Sequence, residues 1–135
     1  MANQKLKIVT PRGAVFQTAT KSGTVMARLK WDEGFGPRKT RDFTTAQEFV
    51  DNEVLRFCSA RVPFDTGMLQ KSGILGTVVG SGEVKYIAPY AAYQYYSTST
   101  SRGYDSKRGA YWFERGKVTE RERIMRGAAR LAGGR

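Results

Sequence analysis

The chain has no histidine and a single cysteine, Cys58, among its 135 residues. Within one chain these absences exclude a Ser-His-Asp triad, a Cys-His pair, the common zinc sites and an internal disulfide framework. Long apolar runs are missing too, since none approaches the roughly 18–20 residues needed to cross a bilayer. The opening MANQKLKIVTPRG lacks the apolar stretch of a secretory signal. The expectation is a soluble protein made in a cytoplasm, with no membrane, metal or cofactor and no catalytic residues. Carboxylate or lysine chemistry is the enzymatic route left open.

What the chain has in excess is positive charge. Lysine and arginine number 23 against 12 acidic residues, a net charge of +11. Such a balance favours a polyanion or an acidic protein surface as partner. The apolar share, 40 %, lies above the disordered range, and this length can bury one core without covalent staples. One domain spanning 1–135 is expected.

The first 43 residues read as a β-meander. KLKIVT (5–10), AVFQTAT (14–20) and TVMARLKW (24–31) are the strand candidates, with Lys21-Ser22-Gly23 as a turn. DEGFGPRKTRD (32–42) reads as a polar loop. A helix is predicted over 44–61, with Thr44 and Gln47 or Thr45 and Glu48 as a capping box. Its apolar face comprises Ala46, Phe49, Val50, Val54, Phe57 and Cys58, and Pro63 follows its end. Residues 73–88 read as a hairpin around Gly80-Ser81-Gly82, and PYAAYQYY as a short helix opened by Pro89. STSTSRGYDSKRGA (97–110) reads as a mobile loop. A C-terminal helix is predicted over 111–132, with Val118, Met125, Ala129 and Ala132 as its apolar stripe and Ile124 and Leu131 beside it. The class is α+β, a small antiparallel sheet packed against one long central helix and a C-terminal helix.

Three motifs suggest chemistry. Asp65-Thr66-Gly67 is the triplet of aspartic proteases, whose short retroviral forms dimerise to pair two aspartates, but Pro63 and a helix occupy the place of the usual preceding strand. A turn built by Asp65, Thr66 and Gly67 is the alternative, with glycine supplying a positive φ. KYIAPYAAYQYYSTST holds tyrosines 86, 90, 93, 95 and 96, which suit base stacking, an interface or a core. Lys85 is the only cation near them before Arg102, so packing or interface use is favoured, with Trp112 as a further member. Residues from Ser101 onward carry ten basic and four acidic side chains. Arg102, Lys107, Arg108, Arg121, Arg126 and Arg130 are therefore candidates for contact with an acidic partner or DNA. A basic single-stranded nucleic-acid-binding module is the alternative function, and a dimeric aspartic protease using Asp65 a remote one.

The sequence Pro63-x-Asp65-Thr66-Gly67-x-Leu69-x-x-Ser72 precedes Tyr86, then Pro89-Tyr90-Ala91-x-Tyr93-Gln94-Tyr95-Tyr96, then Trp112 opening a last helix. This order resembles the minor capsid or head–tail joining (neck, tail-completion) proteins of tailed bacteriophages, over about residues 60–120. The resemblance implies a small non-enzymatic α+β subunit of the virion, placed at the head–tail junction. It implies a ring of its own copies, hexameric or dodecameric, with DNA passing through the lumen. Neighbouring neck, portal-adaptor or tail proteins would be its partners.

Overall fold

The longest element is a helix that begins well before its apolar periodicity does. The computed structural model describes residues 7–10 and 15–133. In chain order they form β1 (Val15–Thr20), β2 (Gly23–Arg28), α1 (Phe35–Ser59), α2 (Met68–Gly76), α3 (Ala91–Ser97) and α4 (Trp112–Leu131). The class is α+β: a two-stranded antiparallel sheet and four helices, with α1 packed along α4.

Helix α1 takes in residues 35–42, which composition assigned to a loop, and Phe43, so the expected start at residue 44 is corrected. Pro37 lies in the first turn, where its missing N–H has no intrahelical acceptor to lose. Asp32 organises the start from outside. Its Oδ1 accepts the Gly34 N–H at 3.1 Å, and its Oδ2 accepts from the Arg38 guanidinium at 2.8 Å. A carboxylate at this end also complements the helix dipole. Thr44 and Thr45 cap nothing; their hydroxyls donate to the carbonyls of Thr40 and Arg41 at 2.7 and 3.0 Å. Back-bonding of this kind is what threonine does inside a helix.

Two glycines set the α1–α4 contact. A Cβ on Gly116 would lie 2.3 Å from Phe57 Cδ1, and one on Gly127 would lie 2.6 Å from Phe49 Cζ. Each absent side chain leaves a notch that a phenylalanine ring of α1 fills. The inward side of α4 is therefore Trp112, Gly116 and Ile124. Val118 and Met125, expected on the apolar stripe, are 82 % and 57 % exposed. Hydrophobicity scores a glycine as nothing, whereas here the glycines mark the contact face. The core joins Phe57, Cys58, Val62, Leu69, Ala91, Trp112 and Ile124.

The expected hairpin over 73–88 is absent, and its first limb is divided. Residues 73–76 complete α2, which buries Leu69, Ser72 and Gly73 on one face. Tertiary packing has overridden the β-branched composition. The chain still reverses at Gly80 and Gly82, with φ of 96° and 80°. No ladder forms; instead Thr77 Oγ1 accepts the Lys85 N–H at 3.0 Å. Asp51, 2 % exposed, fixes this reversal from α1. Its Oδ2 accepts the N–H groups of Gly80 and Gly82 at 2.8 and 3.1 Å, and its Oδ1 accepts from Gln47 Nε2 at 2.9 Å.

Among the described residues the N-terminal meander is one ribbon, β1 paired with β2 in the register Thr18↔Val25 and Thr20↔Gly23. Of the expected strand 5–10, residues 5 and 6 lie outside the described residues, and 7–10 form no strand. Ile8 instead donates its N–H to Thr40 Oγ1 at 2.9 Å, laying that segment across the start of α1. Strand β2 stops at Arg28 and is exposed throughout.

Candidate functional site: the aromatic cluster and its groove

The tyrosine block divides into an inward and an outward set. Tyr95 is the hub of the inward one. Its ring meets Trp112 edge-on at 4.7 Å and 90°, Tyr111 at 5.3 Å and Tyr96 at 4.8 Å. Tyr86 approaches Trp112 at 5.5 Å and 63°. These edge-to-face geometries are the ones a ring quadrupole favours. Tyr86 has room because position 73 is glycine; a Cβ there would lie 2.5 Å from Tyr86 Cε1. Residues from α2, the return limb, α3 and α4 thus converge on Trp112.

Tyr111, at the start of α4, has φ of 55° without being glycine. That conformation is held by its N–H bond to the Tyr95 carbonyl at 3.0 Å and by the Tyr95 and Tyr96 rings. Beneath the cluster sits Cys58, whose thiol burial pushes up to about 12, with Tyr86 and Arg61 pulling weakly the other way. Tyr86 is raised as well, first by burial and then by the neighbouring Cys58. Its buried hydroxyl has the thiol as neighbour and no nitrogen or oxygen partner. A buried, neutral thiol is a packing group.

The outward set is Tyr90, Tyr93 and Tyr96, at 44 %, 63 % and 65 % exposure. Beside the cluster an open groove of about 650 Å³ runs between α1, the return limb, α3 and the start of α4. Val50, Val54, Tyr86, Ala92, Tyr95 and Phe113 are among its walls.

The Asp65-Thr66-Gly67 turn sits on a second, smaller hollow of about 440 Å³, lined also by Phe64, Tyr90, Gln94, Arg102 and Tyr104. Gly67 has φ of 82° and opens α2. Thr66 Oγ1 accepts the Met68 N–H at 3.4 Å, and Asp65 is exposed.

Of the six basic candidates, two are engaged internally. Arg108 donates through Nη1 to the carbonyls of Ser59 and Val62 at 3.0 and 2.8 Å, and pairs with Asp105 at 3.2 Å. Those carbonyls close the end of α1, where the helix leaves acceptors unused. Arg102 donates to Gln94 Oε1 at 3.1 Å. Lys107, Arg121, Arg126 and Arg130 are exposed, and among the described residues none of them is in an ion pair. Arg115 completes the lacing of the loop 98–110, donating to the carbonyls of Ala110 and Lys107 at 2.8 Å each. Burial, then Arg61, holds its pKa below the ordinary arginine range.

Sequence reasoning missed Asp51 and Arg115. The signal for Asp51 was an acid between Val50 and Val54 on an apolar face, with Gly-x-Gly later in the chain. Nothing local marks Arg115, because its partners are backbone carbonyls. Among the described residues no group of three or more acidic, cysteine or histidine side chains could hold a metal, and no helix is long and apolar enough to cross a membrane. No family model, curated protein or solved structure matches the chain.

Proposed function

We propose that this chain is a structural virion protein of a tailed bacteriophage that joins head to tail as a ring of its own copies. The carrying observation is apolar surface left open on three separate elements. Ile74, Leu75, Val78 and Ile87 gather at the C-terminal end of α2, each more than half exposed. Val25 and Met26 stand exposed on the ribbon, and Val118 and Met125 on the outer side of α4. Among the described residues, more large apolar side chains are exposed than are fully buried. Patches of this kind mark interaction surfaces. Two or more different patches on one subunit suit head-to-tail contacts, which close into rings.

The magnitudes favour closure over pairing. Burying the four α2-end side chains would contribute about 2 kcal/mol each at most. That total is comparable with the roughly 4–15 kcal/mol cost of association. One contact alone is marginal, and a closed ring multiplies it. Partners would be further copies and the adjoining neck, portal-adaptor or tail proteins, in the virion.

Light scattering at high concentration, with negative-stain images of the protein alone and mixed with phage heads and tails, tests this. Rings, or density added at a head vertex or tail end, are expected. A monomer that binds neither structure would contradict it.

A second reading, contact with nucleic acid, has one observation in its favour: Arg121, Arg126 and Arg130 are exposed on α4 without acidic partners among the described residues. It is compatible with the first if α4 lines a lumen.

A further inference from the structure

Among the described residues, no side chain of the β1–β2 ribbon from residue 18 onward is buried. Residues 18–28 are exposed, with Val25 and Met26 at 64 % each, and Leu29 just beyond at 54 %. A lone two-stranded ribbon is marginally stable in water at best. Its exposed edges are also open to pairing with another chain. The ribbon therefore needs an apolar seat.

The aromatic groove offers one of the right chemistry. It is open, about 650 Å³ in volume, and walled by Val50, Val54, Tyr95 and Phe113. Charge matches as well. Residues 1–31 contain six basic side chains and no acidic one, Lys21, Arg28 and Lys30 being on or beside the ribbon. Glu114 lines the groove, with Lys117 at 3.3 Å from its carboxylate, and Glu83 stands exposed between the wall residues Gly82 and Val84. With a net charge of +11, two copies repel unless their contact joins opposite signs.

We infer that the ribbon of one copy seats in the aromatic groove of the next, with Val25 and Leu29, which the strand alternation puts on one face, entering and the basic side chains meeting Glu83 and Glu114. This rests on the ring reading above and gives it a specific head-to-tail contact. The outward tyrosines Tyr93 and Tyr96 then flank the seated ribbon.

The test mixes two full-length proteins, one carrying Val25→Cys and the other, distinguished by a mass tag, Ala92→Cys. Both positions are exposed, and Cys58 is buried and unreactive. Air oxidation at assembling concentration is expected to give the mixed disulfide dimer in several-fold excess over dimers in either protein alone. The chain bearing both substitutions is expected to give a ladder of multimers. A fast-migrating monomer, cross-linked within one chain, would overturn the inference in favour of the ribbon's own groove. In parallel, Val25→Asp with Leu29→Asp is expected to weaken association about tenfold or more while circular dichroism stays unchanged. If the wild type forms rings and both experiments are negative, the ribbon contact is wrong and the ring stands. If the wild type forms no assembly alone or on heads and tails, the ring reading fails and takes this contact with it.

Discussion

Asp51 shows how one side chain fixes a segment that the sequence leaves ambiguous. Its carboxylate is buried and answered by three N–H donors rather than by a cation, which is how a buried charge is tolerated. Asp51→Ala should destabilise the fold by about 3 kcal/mol, because it strands two backbone N–H groups. Urea titration measures this, and a loss below about 1 kcal/mol would show that the reversal holds without it. Cys58 and Tyr86 set an alkaline limit. Both have raised pKa values in the fold, so the unfolded chain ionises first, and their stabilisation is complete only below the thiol's ordinary 9.0. Stability should fall as pH rises from about 9 towards 12. Cys58→Ala should flatten the early part of that fall, followed by thermal melts across the range. These residues were only half legible. Cys58 lies on the face where periodicity put it, whereas Tyr86 owes its buried seat to Gly73, thirteen positions away in the sequence.

At the level of elements, the central and C-terminal helices were readable because a 3.6-residue period of apolar side chains survives any tertiary context. The side of α4 that packs was not readable, because its contact is built from missing side chains. Gly116→Ala and Gly127→Ala test that account. In an exposed helix each change would stabilise by up to about 1 kcal/mol. Here each new Cβ meets a phenylalanine ring, so a loss of about 1–3 kcal/mol is expected. A gain in denaturation midpoint would place the helices further apart than described. The hairpin over 73–88 misread for a related reason. ILGTVV has strand composition, but Gly73 is needed against Tyr86 and Leu69 against the core, and a helix satisfies both at spacings of three and four. The loop 98–110 looked free because its anchors, Arg108 and Arg115, bond to backbone carbonyls that no side-chain pattern reveals.

For the whole molecule, five of the residues that carry the resemblance are brought together in space. Leu69, Tyr86, Ala91, Tyr95 and Trp112 all belong to the core or its packed margin. The motif order therefore describes a packing unit that also walls the aromatic groove, and further apolar surfaces that would meet partners lie outside it, on the ribbon, the α2 end and outer α4. Only the arginines of α4 were named from the sequence as partner contacts; the apolar patches were not, since exposed apolar residues resemble buried ones until the fold is known. Charge acts on the same scale. If α4 faces DNA, binding should weaken linearly with log salt. Replacing Arg121, Arg126 and Arg130 together by glutamine should then reduce the slope by about 2–3. Salt-insensitive binding, or none, would leave the arginines to a protein partner. The most direct measurement of the central claim is joining in vitro: filled heads and finished tails from lysates lacking this chain, mixed with and without the purified protein. Joined, infectious particles are expected only when it is added, and far fewer with Leu75→Asp in the α2-end patch. Equal joining in its absence would contradict the account.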